Sequence, residues 1–457
     1  MSPFEQYRHI LRHVQPVGVA GRVRAVRGLT VSVSDFSAPI GANCRIARGS
    51  RATEARVIGF AGDETLVMPM GAVTGICRGD RVVCSAEEQN VGVSPEMLGR
   101  ILDGFGRPID GGGAIRVDRR MAIWPEPMAP MRRRRIAEPL ATGVRALDAM
   151  LTVGRGQRMG IFSGSGVGKS VLLGMIARYT SADVTVIAMI GERGREVRDF
   201  IEKDLGPEGL KRAVVVVSTG DEPPLLRVQG GAVAAAIAEY FRDQGKDVLL
   251  LMDSLTRLAM AQRQIGLAAG EPPATKGYTP SVFSLIPQLL ERSGRAETGS
   301  VTGFYTVLVE ADDVVVDPIG DAARAATDGH IHLSRGLANR GHFPAIDILQ
   351  SVSRVMIDVA EPPHLAAAQK VQSLLAVHEE IEDMVSIGAY QKGASAEYDL
   401  AVNMMPMIRR FLAQRTDQRA DFAETRKSLM DLREQIDNAR HQLARGPGGM
   451  PRAGWRR

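Results

Sequence analysis

Residues 163–170 restrict the possible folds of this 457-residue chain more than any other stretch. An apolar run at 159–162 precedes them, and a segment with helical spacing follows. A strand, a glycine-rich turn and a helix opening with Gly-Lys-Ser are typical of a phosphate-binding loop, because glycines let successive backbone N–H groups converge on phosphate oxygens. The predicted nucleotide-binding residues of this loop are Ser163, Gly164, Ser165, Gly166, Val167, Gly168, Lys169, Ser170 and Val171.

The last two polar residues of the loop carry its predicted chemistry. Lys169 is expected to reach the β- and γ-phosphates of ATP, and the Ser170 hydroxyl to bind Mg²⁺. The usual pattern GxxxxGK[ST] begins with glycine, whereas this chain has Ser163 there. A glycine-rich turn of a Rossmann-type enzyme is the alternative interpretation. The preceding strand and the motifs downstream favour the phosphate-binding loop.

Composition limits the class of protein. The hydrophobic fraction of 44% and charged fraction of 24% are ordinary for a globular chain. The net charge of +5 is small for this length, so it favours a solvated basic surface over nucleic-acid binding. The three cysteines, Cys44, Cys77 and Cys84, predict a reducing compartment without a disulfide framework. No apolar run approaches the ~18 residues that span a bilayer, which predicts a cytoplasmic or peripheral protein.

The pattern of apolar, polar and glycine residues changes along the chain and predicts five segments. Short β-branched runs separated by glycine indicate a small closed barrel, and alternating strands and helices then indicate a mainly parallel sheet. Aromatic residues that could stack on bases are few in the barrel. The predicted segments are an N-terminal amphipathic helix (1–17), the barrel (18–90), a nucleotide-binding domain (91–361), a helical domain (362–445) and a disordered tail (446–457).

Acidic residues follow two of the apolar strands predicted in the central domain. Asp253 closes one strand and is interpreted as the Walker B carboxylate that holds Mg²⁺ through water, or alternatively as a helix cap. Glu192 follows another and is interpreted as the base that aligns the attacking water, with Arg193 holding phosphate charge or positioning it. The alternative for Glu192 and Arg193 is a surface ion pair. Ligands bind beyond the carboxyl edge of such sheets, so these residues are expected to converge with the loop.

Four further features have two interpretations each when judged from the residues alone. Arg354 is a candidate arginine finger from a neighbouring copy, and Phe343 a candidate for stacking on adenine. The arginine run at 132–135 favours a solvated or subunit-contacting strip over a nucleic-acid or phospholipid contact. The apolar stripe within 1–17 suits either a docking helix for a partner or packing on its own domain.

The chain resembles the ATPases of type III protein export from about residue 18 to 414. The motifs that carry the resemblance are GSGVGKS, GERGREV, LLLMDSLTR, GEPPATKGYTPSVF and DGHIHLSRGLANRGHFPAIDILQSVSR. The resemblance implies a multidomain α/β protein with a small N-terminal β-barrel, a RecA-like P-loop domain and a C-terminal helical domain. It implies Lys169 and Ser170 on phosphate and Mg²⁺, Glu192 as catalytic glutamate, Asp253 as Walker B, Phe343 at adenine and Arg354 as a finger acting in trans.

The resemblance also implies an assembly, partners and a location. The assembly is a homohexameric ring. The partners are a stator-like regulatory protein at the N-terminal helix, a central stalk protein at the turn 388–395, export substrates with their chaperones, and a membrane export gate contacted peripherally. The expected location is the cytoplasm, at the inner-membrane export apparatus. The segments 220–227 and 385–393 resemble the flagellar branch more than the injectisome branch. An injectisome ATPase, a hexameric RNA translocase and a rotary-synthase subunit are the alternatives.

Overall fold

The computed structural model describes residues 18–49, 51–86, 89–309, 317–393 and 395–445. The N-terminal helix expected at 1–17 and the disordered tail expected at 446–457 lie outside these ranges, so both stay predictions. Residue 394 of the turn at 388–395 also lies outside them.

Six antiparallel strands near the N-terminus close into a barrel in the order β1-β2-β5-β4-β3-β6. Valine and isoleucine alternate with polar residues along these strands, so one face of each strand fills the barrel interior. Val31, Ile46 and Val67, for example, are fully buried. The strands are β1 (Ala20–Arg27), β2 (Thr30–Ser34), β3 (Asn43–Arg48), β4 (Arg51–Ala61), β5 (Glu64–Pro69) and β6 (Arg81–Ala86).

The central domain is built on a nine-stranded sheet in the order β19-β18-β12-β17-β15-β13-β14-β8, with β16 on β17. Its strands are parallel except β16 and β19. These strands are β8 (Ile101–Leu102), β12 (Arg158–Ser163), β13 (Val184–Ile190), β14 (Ala213–Ser218), β15 (Asp247–Asp253), β16 (Gly294–Arg295), β17 (Ser300–Leu308), β18 (Gly329–Leu333) and β19 (Ile346–Ser353).

Two small two-stranded sheets complete the described β-structure. They pair β7 (Asn90–Val93) with β9 (Arg119–Ala122), and β10 (Pro139–Leu140) with β11 (Val153–Gly154).

Both faces of the large sheet are covered by helices, which explains its continuous apolar strands. Alternate residues of β13 enter opposite cores: Val186 and Ala188 join one cluster, and Ile187 and Met189 the other. The helices of the central domain are Arg145–Met150, Lys169–Tyr179, Gly194–Asp199, Gly206–Lys211, Pro224–Asp243, Leu255–Ala269, Pro280–Leu290, Pro318–Ala326, Arg335–Asn339 and Met356–Val359, with a π-helical turn at Phe200–Leu205.

Three long helices, Pro362–Ser386, Ala396–Leu412 and Phe422–Arg445, form the C-terminal region. Their buried side chains belong to the same cluster as those of the helix Lys169–Tyr179. The helical region therefore packs on the face of the sheet that carries the helix after the glycine-rich loop. The architecture confirms the fold class expected from the sequence.

No helix among the described residues is both long enough and apolar enough to cross a bilayer.

Candidate active site

The glycine-rich loop joins the buried strand β12 to the helix Lys169–Tyr179. Gly166 has φ +77° and Gly168, at the helix N-cap, has φ +89°. A side chain at either position would be strained, because L-residues other than glycine rarely adopt this left-handed conformation. The backbone thus follows a path that only glycine permits, and Ser170 is exposed in the first turn of the helix.

Ser163, at the position where the usual pattern has glycine, lies at the end of β12 and is fully buried. Its backbone is outside the positive-φ region, so the conformation does not require glycine. Its Oγ atom has no hydrogen-bond partner among the described residues. The serine side chain therefore points into the protein below the loop, and the loop keeps its glycines where the backbone needs them.

Side chains from three strand ends meet beside the loop. The Lys169 Nζ atom lies 2.5 Å from Asp253 Oδ1 and 3.6 Å from Glu192 Oε1. Since β12, β15 and β13 are parallel, their carboxyl ends share one edge of the sheet. The structure brings together the lysine, glutamate and aspartate that the sequence singled out.

Asp253 is held in place from two sides. Its Oδ1 atom accepts hydrogen bonds from Lys169 and, at 2.6 Å, from Thr306 Oγ1 on β17. Its side chain is only 3% exposed. The carboxylate is therefore fixed at the strand end, and its buried charge is compensated by the lysine.

Glu192 is buried in the same cluster, with 7% of its side chain exposed. Burial raises its pKa, the Lys169 charge lowers it, and the Asp253 charge raises it further. The balance is upward, so this carboxyl holds its proton to a higher pH than an ordinary glutamate. A carboxylate with a raised pKa in a cleft is typical of a group that exchanges protons.

The arginine that contacts Glu192 is Arg257, which was not predicted from the sequence. Its Nε atom donates to Glu192 Oε1 at 3.1 Å. Arg193, which was expected to position Glu192, instead lies 3.4 Å from Glu196 with 82% of its side chain exposed. Arg257 is in the first turn of the helix after β15, four residues beyond Asp253, and that spacing is the signal that could have identified it.

An open cleft of about 930 Å³ begins at the loop. Phe343, which is 44% exposed, lines it, and its ring lies 3.6 Å from where a β-carbon on Gly168 would be. Val167 and Val171 also line the cleft, so its inner end is apolar. A flat apolar ring beside a phosphate-binding loop suits the base of a nucleotide.

The segment after the helix Ala396–Leu412 also lines this cleft, which was not expected from the sequence. Gln414 connects it to the rest of the site. Its N–H donates to the Phe343 carbonyl (2.9 Å), its Oε1 accepts from the Arg145 N–H (2.7 Å), and its Nε2 donates to the Gly143 carbonyl (2.9 Å). No local motif marks Gln414, because its partners are distant in the chain.

Arg354 lies at the end of the strands opposite to the glycine-rich loop. Its N–H donates to the Asp328 carbonyl (3.0 Å), and Asp328 pairs with Arg158 at the start of β12. The loop follows the other end of β12, five residues later, or about 16 Å along the strand. Arg354 is exposed, so within one copy the structure does not bring it to the lysine cluster.

The chain matches three protein-family models along most of its length. These are the ATP synthase alpha/beta family beta-barrel domain (residues 23–85), the ATP synthase alpha/beta family nucleotide-binding domain (143–353) and the T3SS EscN ATPase C-terminal domain (360–431).

Curated relatives are similar over nearly the whole chain. The flagellum-specific ATP synthase of Treponema pallidum is 53% identical, with 93% of this chain and 96% of the relative covered. That of Bacillus subtilis is 49% identical (90% and 94%), and the type 3 secretion system ATPase of Xanthomonas euvesicatoria is 48% identical (90% and 93%).

Solved structures agree with the sequence comparisons. The assembled ATPase EscN from the enteropathogenic E. coli type III secretion system is 44% identical with a TM-score of 0.86, over 90% of this chain and 100% of that one. EscN in complex with its central stalk EscO gives 43% identity and a TM-score of 0.84 over the same shares.

Proposed function

We infer the function from the family: the chain belongs to the flagellum-specific and type III secretion ATPases, a branch of the ATP synthase alpha/beta family. It is an ATP-hydrolysing enzyme of flagellar protein export. The observation that carries the inference within the structure is the contact of Lys169 with both Glu192 and Asp253 beside the glycine-rich loop.

The site residues are proposed to act as follows. The backbone amides of the loop bind the phosphates, and Lys169 exchanges its two carboxylates for the β- and γ-phosphate oxygens. Glu192, released from Lys169, then accepts a hydrogen bond from the attacking water and aligns it with the γ-phosphorus. Arg257 keeps the Glu192 carboxylate oriented while this happens. Phe343 stacks on adenine in the cleft that Gln414 closes.

Mg²⁺ is the metal ion proposed to accompany ATP. The Ser170 hydroxyl and the Asp253 carboxylate, the latter through water, are the oxygens proposed to hold it. No group of three or more His, Cys, Asp or Glu able to hold a metal occurs among the described residues. This fits Mg²⁺, which takes one or two protein oxygens and fills its remaining positions with water and phosphate. When bound, Mg²⁺ neutralises charge on the phosphates.

A homohexameric ring is proposed because the site of one copy does not contain the candidate arginine finger, Arg354. Arg354 is exposed and lies at the end of the strands opposite to its own loop, so it is proposed to complete the site of an adjacent copy. One chain carries both Glu192 and Arg354, and identical copies can therefore make every interface catalytic. EscN has been solved in an assembled form, which supports a ring here.

We propose that the ring uses ATP turnover to release export substrates from their chaperones and pass them to a membrane export gate. A stator-like regulator is proposed at 1–17 and a central stalk at 388–395, as EscN binds its stalk EscO. The proposed location is the cytoplasm, peripheral to the inner membrane. The proposed domain boundaries remain 18–90, 91–361 and 362–445.

Complementation tests the flagellar role. Expressed in Bacillus subtilis lacking its flagellum-specific ATP synthase, the chain should restore motility, and Lys169→Ala should not. The matched arm is Xanthomonas euvesicatoria lacking its type 3 secretion ATPase. Restored secretion there without restored motility in the first strain would assign the chain to an injectisome.

Contacts of the arginine run favour the solvated or subunit-contacting strip over a nucleic-acid contact. Arg132 pairs with Glu297, Arg133 with Glu291 and Arg135 with Asp358. ATP turnover strongly stimulated by polyribonucleotide would favour an RNA translocase instead. A synthase subunit that needs a different partner chain is contradicted if the purified chain alone hydrolyses ATP.

A further inference from the structure

Two of the three cysteines lie side by side on neighbouring strands of the barrel. Cys44 on β3 and Cys84 on β6 are direct partners in the strand register, although 40 residues separate them in the chain. Ile46 and Val82, the next partners on the same face, are both fully buried. Because side chains two residues apart share a face, both thiols point toward the barrel interior. Cys44 is fully buried there, and Cys84 packs against the same core.

The backbone hydrogen bonds indicate that the Cα atoms of Cys44 and Cys84 are close together. The Cys84 N–H donates to the Val19 carbonyl at 2.9 Å, on the side of β6 that faces β1. The backbone groups of Cys84 therefore point away from β3, and Cys44 and Cys84 form a non-hydrogen-bonded pair. The Cα atoms of such a pair are about 4.5 Å apart, which lies within the range of about 4.4–6.8 Å that a disulfide spans.

We propose that Cys44 and Cys84 are a reversible modification site, at which a low-molecular-weight disulfide oxidises the two thiols to a cross-strand disulfide. The bond would join β3 to β6 covalently at a seam of the closed barrel.

The reaction has two exchange steps. The thiolate of Cys84, the more exposed partner, attacks one sulfur of the small disulfide and releases one small thiolate. Cys44 then loses its proton, and its thiolate attacks the Cys84 sulfur of the mixed disulfide and expels the second small thiolate. Two protein thiols are oxidised and one small disulfide is reduced to two thiols, which balances atoms and electrons.

The second step is expected to be slow. Burial, together with smaller contributions from Cys84 and Glu54 and against the opposing charge of Arg56, raises the pKa of Cys44 to about 12. Little Cys44 thiolate exists at neutral pH, so the mixed disulfide should persist before it closes. Closure should become faster as pH rises toward 9.

Thiol counting on the full chain treated with excess glutathione disulfide tests the proposal. Titration in denaturant after oxidation of the native protein should fall from three thiols to none, because the exposed Cys77 takes up one glutathione. Apart from that single adduct the mass should drop by two hydrogens, and a peptide containing Cys44 should be linked to one containing Cys84. Dithiothreitol should restore all three thiols. The urea midpoint should be higher for the oxidised form.

Two single variants serve as controls. Cys77→Ser removes the exposed third cysteine and should still close, leaving no thiol. Cys84→Ala keeps the site apolar and should give no internal link. Oxidation that leaves Cys44 and Cys84 titratable as thiols, or that ends at a glutathione adduct on Cys84, would overturn the proposal.

Discussion

The pKa of Glu192 depends on its burial, which raises it, and on two charges of opposite sign: that of Lys169 lowers it and that of Asp253 raises it. If Glu192 aligns water, Glu192→Gln should still bind ATP but lower kcat about 10²- to 10⁴-fold, because the amide cannot accept the proton. Nucleotide binding by fluorescence and steady-state hydrolysis measure the two effects separately. Hydrolysis by this variant at the wild-type rate would remove the assignment.

The pH profile of kcat/KM tests the same residue independently. Burial raises the Glu192 pKa, and only the ionised carboxylate can act as a base. Activity should therefore fall as pH drops through a value above the ~4.3 of an ordinary glutamate. The residual activity of Glu192→Gln should not show this loss at low pH. It should show only the loss that protonation of ATP itself causes. The same loss in both proteins would show that another group titrates.

The two arginines near Glu192 make a matched pair. Arg257 donates to Glu192, whereas Arg193 is 82% exposed beside Glu196. Arg257→Gln should lower kcat more than Arg193→Gln does, because only the first variant frees the Glu192 carboxylate, the proposed base, to turn. A larger loss from Arg193→Gln would restore the assignment made from the sequence.

At the scale of elements, Gln414 ties the C-terminal helices to the nucleotide cleft. Gln414→Leu would leave the Arg145 N–H and the Gly143 carbonyl without this partner, at a cost of roughly 1–3 kcal/mol for each buried group. KM for ATP should rise while kcat changes little, since none of the hydrogen bonds described for Gln414 reaches Lys169, Glu192 or Asp253. Gln442→Leu, an exposed change on the helix Phe422–Arg445, is the control. Equal KM values for both variants would contradict this role.

A buried ion pair joins the helix Pro224–Asp243 to the segment after Pro280–Leu290. Arg292 contacts Glu239 at 2.6 Å, with side chains 7% and 8% exposed. Arg292→Met should lower the free energy of unfolding by about 3–5 kcal/mol, because Glu239 would keep a buried charge without its partner.

The exposed pair Lys211 and Glu208 is its control, with side chains 70% and 83% exposed. Lys211→Met should change stability by at most about 1 kcal/mol. Denaturant unfolding compares the two variants. A loss for Arg292→Met no larger than that for Lys211→Met would contradict the argument.

At the scale of the whole molecule, local patterns predicted much of the architecture. The apolar strand predicted before Glu192 is β13 (Val184–Ile190), because fully buried parallel strands read as unbroken apolar runs. The meeting of Lys169, Glu192 and Asp253 followed from the shared carboxyl edge. Arg257 and the wall at Gln414 could not be found in this way, since their roles depend on side-chain direction and on contacts between distant segments.

The central claim for the assembly is that Glu192 of one copy works with Arg354 of the next. Arg354→Ala and Glu192→Gln should each assemble and hydrolyse ATP slowly. Mixed in equal amounts and allowed to exchange, they create some interfaces where an intact Glu192 faces an intact Arg354. Random mixing should restore about a quarter of wild-type activity if interfaces act independently. Activity that stays at the level of the separate variants, while mixed rings are demonstrably present, would contradict the shared site.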